Sequence, residues 1–221
     1  MAGAMDRPGF AQWTILAFVE QLAEGGPMPG AGCAVSVAGA LAAALGSLSN
    51  QISLKKESNP ALKDLLVGMQ PQIDQARRKF FDLIDADALA YHEVVKARRL
   101  PRDSEGEVNK REAAITQAFA QACEPPRQMA HLGLEVLAWA QTLAQKGNPV
   151  ILADVGVMGF LAVAVVHGGL INIFSNLTMM ADNPVSQSLR SEAEGLRQVL
   201  EHRRREFFAL IYRQVGASEI V

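Results

Sequence analysis

The chain alternates between stretches whose apolar residues recur every three or four positions and short breaks rich in glycine, proline and asparagine. This spacing is typical of helices that bury one face, and no convincing alternation of apolar and polar residues indicates a strand. The pattern predicts helices at 12–24, 32–54, 61–99, 104–124, 125–146, 154–181 and 188–215. The sequence therefore predicts an all-α fold, a multi-helix up-and-down bundle, in one domain that spans residues 1–221.

Capping and breaking residues set several of these boundaries. Ser104 and Glu107 have the spacing of a capping box, in which each side chain bonds the backbone N–H of the other residue. The pair Gly147–Asn148 is expected to end the fifth helix, and Asp154 is a candidate cap for the helix that follows. Pro71 lies inside the third helix and is expected to kink or split it, because proline has no backbone N–H to donate.

Two predicted helices carry no charge over most of their length. Residues 25–54 and 155–181 contain no Asp, Glu, Lys or Arg. Both stretches are long enough to cross a bilayer, but small and polar residues dilute them, and they lack aromatic belts and flanking basic clusters. We therefore expect no membrane and interpret them as helices buried on nearly all sides, which requires several layers or an oligomer interface.

The first charge-free helix has a stripe of small or short polar residues. Its members recur at heptad spacing: Gly32, Ser36, Gly39, Ala43, Gly46, Asn50 and Ser53. Glycine weakens a helix, so a stripe with three glycines needs a compensating gain. Close approach of a second helix or of a ligand supplies that gain, because glycine has no Cβ.

Composition excludes several classes of function. The 221 residues include 21 basic and 23 acidic residues, a formal net charge of −2, so we expect no nucleic-acid partner. The two cysteines, Cys33 and Cys123, lie far apart, and the four histidines form no metal-binding cluster. We therefore expect neither a disulfide framework nor a metal site. The N-terminal residues lack the pattern of a signal peptide, which favours a cytoplasmic protein.

One acidic residue stands out against the helical pattern. Five side chains share one face of the third helix at steps of four, three, four and three: Phe80, Ile84, Asp87, Tyr91 and Val94. Asp85 falls on the opposite, solvent-facing side. A carboxylate among apolar side chains must be paired, hydrogen-bonded or protonated. Asp87 is therefore a candidate general acid or base with a raised pKa; the alternative is a structural aspartate satisfied by a neighbouring helix.

Other polar residues are candidates for ligand contacts. The turn at 29–32 precedes a helix and either presents backbone N–H groups to an anion or is a simple tight turn. Lys55–Lys56 ends the second helix, where it complements the helix dipole or meets an anionic ligand. Asn172 and Asn176 lie one turn apart in line with Asp154, but about 27 Å separates the asparagines from Asp154 at about 1.5 Å per residue. One site within a single chain does not contain all three.

Taken in order, these pieces resemble the cyclodeaminase/cyclohydrolase family of folate one-carbon enzymes. The matching segments are 27–32 (Pro-Met-Pro-Gly-Ala-Gly), Lys55–Lys56, 85–91 (Asp-Ala-Asp-Ala-Leu-Ala-Tyr), Leu100–Pro101, Glu107, Arg111, 113–115, 147–148, 153–157 and 172–177. The resemblance covers roughly residues 16–182. The family's loop usually reads Pro-Gly-Gly-Gly-Ser, so Ala31 and Cys33 replace a glycine and the serine here.

The resemblance implies an all-helical homodimer that acts on tetrahydrofolate carrying a one-carbon unit, without a further cofactor. The implied reaction converts 5-formimino-tetrahydrofolate to 5,10-methenyl-tetrahydrofolate and ammonia; the alternatives are a 5,10-methenyl-tetrahydrofolate cyclohydrolase and a non-catalytic folate-binding dimer. Asp87 matches the family's catalytic aspartate. The residues expected to contact the substrate are Pro29, Gly30, Gly32, Lys55, Lys56, Asp154, Asn172 and Asn176.

Overall fold

The computed structural model describes residues 9–217, which form seven α-helices and two short 3-10 helices without a strand. The α-helices are α1 (Ile15–Ala23), α2 (Ala31–Lys56), α3 (Pro60–Arg98), α4 (Glu105–Ala122), α5 (Glu124–Lys146), α6 (Leu152–Leu177) and α7 (Pro184–Gln214). The 3-10 helices are Phe10–Gln12 and Pro149–Ile151. The predicted all-α class is confirmed. Residues 1–8 and 218–221, which belong to the predicted domain, lie outside the described range.

α2 is the central helix, and α3, α5 and α6 pack around it. Near the start of α2, Ser36 Oγ donates to the carbonyl of Phe80 at 2.6 Å. Near its end, Asn50 Nδ2 donates to the carbonyl of Leu66 at 2.9 Å. α2 and α3 are therefore antiparallel, so the first turn of α2 lies beside the second half of α3.

The small-residue stripe of α2 is buried along its whole length, as the sequence predicts. A methyl group on Gly39 would overlap the ring of Phe80, and one on Gly46 would overlap the side chain of Met158. Large side chains of α3 and α6 therefore occupy the space that a Cβ would need. The glycines weaken α2 locally, but they allow close packing that excludes voids.

Pro71 was expected to kink or split α3; α3 continues without interruption through Pro71, so the split is wrong. Proline leaves the carbonyl four residues earlier, that of Val67, without its helical hydrogen bond. Pro71 is exposed, and Val67 is 54% exposed. Because this part of the helix surface faces solvent, water can bond the freed carbonyl and the helix tolerates the proline.

The predicted capping box at the start of α4 is confirmed. Ser104 Oγ accepts a hydrogen bond from the N–H of Glu107 at 3.3 Å, and Glu107 Oε2 accepts one from the N–H of Ser104 at 3.0 Å. The predicted break before Pro125 is confirmed as well, since α4 ends at Ala122 and α5 begins at Glu124.

The prediction that Asp154 caps α6 is wrong. Asn148 Oδ1 accepts a hydrogen bond from the N–H of Val150 at 3.1 Å and caps the 3-10 helix Pro149–Ile151. That short helix leads directly into α6, so helical backbone begins before Asp154. Asp154 lies in the first turn of α6, where its negative charge is favourable to the helix dipole.

The two helical segments that contain most of the charge-free stretches are only partly buried within one subunit. Residues 31–56 and 149–177 are long and apolar enough to cross a membrane by length and composition, but core helices of soluble proteins share this composition. In the most apolar part of each segment, 50% and 44% is buried. The expectation that these helices are buried on nearly all sides is therefore not met within one subunit. The exposed large apolar side chains of α2 and α6, here called the α2/α6 face, are Leu41, Leu48, Val157, Phe160 and Ile171.

Candidate functional site

Asp87 lies on α3 at the point where α3 passes the first turn of α2. Its carboxylate rests against Gly32, and a methyl group on that glycine would overlap it. The Sγ atom of Cys33 lies 3.7 Å from Oδ2 of Asp87 and 3.3 Å from the carbonyl oxygen of Ile84. The backbone N–H of Cys33 also donates to the carboxylate. Asp87 therefore sits at the N-terminus of α2, where unpaired N–H groups and the helix dipole favour a negative charge.

The environment of Asp87 changes its titration. Burial is the largest influence and raises the pKa of the carboxyl above its ordinary value of 3.8, while the hydrogen bonds from Cys33 lower the pKa and offset part of that rise. Asp87 remains partly exposed. A carboxyl group that is reachable and has a raised pKa is suited to accept and return a proton near neutral pH.

The helical pattern was less accurate for two neighbours of Asp87. Tyr91, predicted to share the buried face, is 41% exposed. Asp85, predicted to face solvent, is partly buried, and its Oδ1 accepts a hydrogen bond from the N–H of Phe10 at 2.7 Å. The segment before α1 therefore covers this part of α3. The contact joins residues 75 positions apart, which the periodicity of one helix cannot reveal.

The turn before α2 places backbone N–H groups at the same end of the subunit as Asp87. Gly30 is the N-cap of α2 and has no side chain to bond the first N–H groups. Pro29 is buried beneath the turn, whereas Ala31 is exposed. The extra methyl group of Ala31 is therefore on the open side of the turn, while Gly32 faces Asp87.

Asn172 and Asn176 lie near the end of α6. Gly168, one turn before Asn172, packs against Val35 of α2, so this part of α6 lies near the start of α2. Asn172 Nδ2 donates to the carbonyl of Gly168 at 2.8 Å, and Asn176 Nδ2 donates to the carbonyl of Ala122 at 3.0 Å. Asn176 thus bonds an otherwise unpaired carbonyl at the end of α4. The amide nitrogen of Asn176 therefore has a structural role, because it bonds the carbonyl of Ala122.

The remaining predicted site residues, Lys55, Lys56 and Asp154, lie toward the opposite end of the subunit. Gly32 and Lys55 are 23 residues apart on α2, which is about 35 Å along the axis at about 1.5 Å per residue. α6 runs antiparallel to α2, so Asp154 at its start lies toward the lysines. Within one subunit, the structure divides the predicted site into two groups that do not meet.

Two grooves on the surface are separate from the predicted site residues. One, of about 770 Å³, lies between α3 and α5 and is lined partly by Arg78, Phe81 and Glu135. Another, of about 600 Å³, lies between α4 and the link from α6 to α7. Neither is lined by Asp87. Within residues 9–217, no group of three or more His, Cys, Asp and Glu side chains is placed to hold a metal ion.

The sequence profile of the formiminotransferase-cyclodeaminase family matches residues 14–195. The match covers most of the chain, including Asp87 and all helices from α1 to α6. This chain belongs to that family. The family resemblance drawn from the order of its motifs is confirmed.

Similar proteins differ in how much of their length this chain covers. It is 29% identical over 183 residues to the methenyltetrahydrofolate cyclohydrolase of Methylorubrum extorquens, 83% of this chain and 88% of that protein. It is 28% identical over 185 residues to the formimidoyltransferase-cyclodeaminase of Rattus norvegicus, 84% of this chain but 34% of that protein. The chain thus spans about a third of the length of that second relative.

The fold itself has a counterpart among solved structures. The crystal structure of formiminotetrahydrofolate cyclodeaminase from Thermotoga maritima matches with a TM-score of 0.82, over 92% of this chain and 98% of that one. The two sequences are 24% identical in this comparison. The likeness establishes a shared arrangement of helices.

Proposed function

We propose that this protein is a folate one-carbon enzyme that converts 5-formimino-tetrahydrofolate to 5,10-methenyl-tetrahydrofolate and ammonia. The observation that carries the proposal is the position of Asp87, a partly buried carboxylate with a raised pKa at the N-terminus of α2. Membership of the formiminotransferase-cyclodeaminase family supports the choice of substrate. Its relatives are named for one-carbon chemistry, which supports the proposed type of reaction.

In the proposed reaction, one carboxyl group moves one proton. N10 of the substrate attacks the carbon of the protonated formimino group, forming a bond between N10 and that carbon. The carboxylate of Asp87 takes the proton from N10 and delivers it to the exocyclic amino nitrogen. The bond from the carbon to that nitrogen then breaks and ammonia leaves, so Asp87 returns to its ionised form. A raised pKa favours this exchange because it brings the carboxyl closer to the working pH.

Hydrolysis of 5,10-methenyl-tetrahydrofolate to 10-formyl-tetrahydrofolate is the second candidate. It is favoured by the Methylorubrum extorquens relative, a methenyltetrahydrofolate cyclohydrolase of which this chain covers 88%. In this reaction water adds to the methenyl carbon and Asp87 takes a proton from it. Asp87 then donates that proton to N5 as the bond between the carbon and N5 breaks, and a second proton is released to solvent.

Spectrophotometry with the two substrates separates the candidates. The protein is incubated with 5-formimino- and with 5,10-methenyl-tetrahydrofolate while the absorbance of the methenyl compound is followed. Appearance of this absorbance from the first substrate supports the cyclodeaminase, and faster decay with the second supports the cyclohydrolase. Binding of either folate without a change in absorbance would instead indicate a non-catalytic folate-binding protein.

The proposed assembly is a homodimer that packs through the α2/α6 face. With the two-fold axis perpendicular to α2, this packing places α2 of one subunit antiparallel to α2 of its partner. The partner's lysine-bearing end of α2 is thereby brought toward Asp87, which a single subunit cannot do because about 35 Å separates them along α2 at about 1.5 Å per residue. The dimer also covers exposed apolar side chains such as Leu41, Leu48 and Ile171.

We expect Leu48→Glu to weaken the dimer, because it places a charge in the proposed interface. Leu48 is 47% exposed in the isolated subunit. Val199→Glu is the matched control, since Val199 is 41% exposed on α7, outside the α2/α6 face. Sedimentation velocity at micromolar concentration should show a dimer for the wild type and Val199→Glu, and monomer for Leu48→Glu. A monomeric wild type would contradict the assembly.

Lys55 and Lys56 are expected to bind the glutamate tail of the folate across this interface. Replacing both by glutamine should weaken binding of a polyglutamylated folate more than that of the monoglutamate. Added salt should reduce the difference, because exposed charges are screened over about 8–10 Å. Isothermal titration with both tail lengths measures this effect, and Lys79 and Lys110, both exposed elsewhere, provide a matched double variant. If both tail lengths lose the same binding affinity, the lysines do not bind the tail, and their role is limited to a favourable interaction with the helix dipole.

A further inference from the structure

We propose that Cys33 is a positioning residue whose backbone N–H and thiol hold the Asp87 carboxylate at the first turn of α2 and tune its proton exchange. The inference rests on the proposed role of Asp87 as the proton shuttle. It assigns Cys33 an effect on the reaction through Asp87, without contact to the substrate.

The thiol of Cys33 lies between two acceptors on α3. Its Sγ atom is 3.3 Å from the carbonyl oxygen of Ile84 and 3.7 Å from Oδ2 of Asp87. The side chain is fully buried, at 0% exposure, so water cannot replace either contact. The two acceptors are three residues apart on one face of α3. The single hydrogen of the thiol is therefore shared between the helix backbone and the carboxylate.

Cys33 remains a hydrogen-bond donor throughout the working range. Desolvation by burial is the main cause that raises the pKa of its thiol to about 12, and the negative charge of Asp87 adds to the rise. The group is thus a neutral thiol at neutral pH. A thiol is a weak donor, so it stabilises the ionised carboxylate less than a hydroxyl in the same place would.

No cation competes with Cys33 for control of Asp87 in the part of the chain that the structure describes. On α2 the titratable group facing Asp87 is Cys33, and on α3 its titratable neighbours are Asp85 and Tyr91. Cys33 supplies both hydrogen bonds that lower the pKa of Asp87, and no charged side chain of another described element contributes to the shift. A change of donor at position 33 should therefore be visible in the titration of Asp87.

Two substitutions change the donor in opposite directions. Cys33→Ala keeps the backbone N–H but removes the thiol, so the ionised carboxylate loses a partner and the pKa of Asp87 should rise by roughly half a unit to one unit. Cys33→Ser supplies a stronger donor and should lower it. The pKa is read by carbon-13 NMR titration of the carboxyl, assigned with Asp87→Asn. The acid limb of the kcat/KM profile should move in the same directions.

Cys123 provides the matched control, because it is also a buried cysteine but lies at the junction of α4 and α5. Cys123→Ser should leave the titration of Asp87 unchanged. If the Asp87 carboxyl titrates with the same midpoint in Cys33→Ala as in the wild type, the inference is overturned. It is also overturned if kcat/KM falls by the same factor at every pH and the acid limb of the profile does not shift. If Cys33→Ala does not fold, Cys33→Ser decides: a lower midpoint supports the role and an unchanged one contradicts it. The NMR titration needs no turnover, so failure of the proposed function is distinguished from failure of this inference.

Discussion

Asp87→Asn is expected to lower turnover of the folate substrate by about 10²–10⁴-fold, the usual contribution of a general acid or base. The substitution is nearly isosteric and keeps an oxygen that can accept the hydrogen bonds of Cys33, but it removes the group that carries the proton. Binding of the substrate and the helical fold should change little. Steady-state kinetics measure the loss, and circular dichroism checks the fold.

Asp85→Asn is the matched control for this experiment. Asp85 lies two residues earlier on α3, and its Oδ1 accepts the N–H of Phe10, an interaction that asparagine can also make. The same chemical change at this position should leave turnover within a few-fold of the wild type. If Asp85→Asn is inactive while Asp87→Asn retains nearly full turnover, the proton shuttle has been assigned to the wrong aspartate.

Gly32→Ala is expected to impair the site through geometry alone. The added methyl group would overlap the carboxylate of Asp87, so that the carboxylate must move away from the first turn of α2. Displacement of a catalytic group by about 1 Å can reduce the rate by about 10²-fold. Overpacking should also destabilise the protein by about 1–3 kcal/mol. Measurements of kcat/KM and of thermal unfolding determine the two effects separately.

Two other glycine-to-alanine substitutions separate packing from catalysis. Gly39→Ala would overlap the ring of Phe80, away from the carboxylate, so it should lose stability with little change in kcat. Gly68→Ala meets nothing within 4 Å and should stabilise α3 by up to about 1 kcal/mol, because alanine is the better helix former. Should Gly32→Ala behave like Gly39→Ala, with lower stability but normal turnover, the close fit at Gly32 would have no catalytic importance.

Much of the fold and the chief candidate residue could be predicted from periodicity and capping. A helix repeats every 3.6 residues, so the spacing of apolar side chains identified the helices and placed Asp87 on the face that packs against a neighbour. The capping box of Ser104 and Glu107 was predictable because both partners lie within one turn. These features depend on neighbours close in sequence.

The rest could not be predicted because it depends on which helix ends meet. Periodicity does not reveal that the segment at Phe10 covers Asp85, or that Asn176 bonds a carbonyl of Ala122. Periodicity also does not show whether two neighbouring helices run parallel or antiparallel. It therefore could not show that Lys55 lies far from Asp87 in one subunit. Cys33 was recognised as a departure from the family's loop, but its contact with Asp87 needed the antiparallel arrangement of α2 and α3.

The burial that makes Asp87 useful as a proton shuttle also affects the stability of the folded chain. Since folding raises the pKa of this carboxyl above 3.8, the folded state holds its proton more tightly than the unfolded state does. The stability that the protonated Asp87 side chain contributes is fully present below the pKa of the unfolded state, and it is lost as the pH rises through the pKa of the folded state. At neutral pH the ionised side chain thus opposes folding relative to its protonated form. An amide at position 87 avoids this penalty, so the inactive protein would be the more stable one.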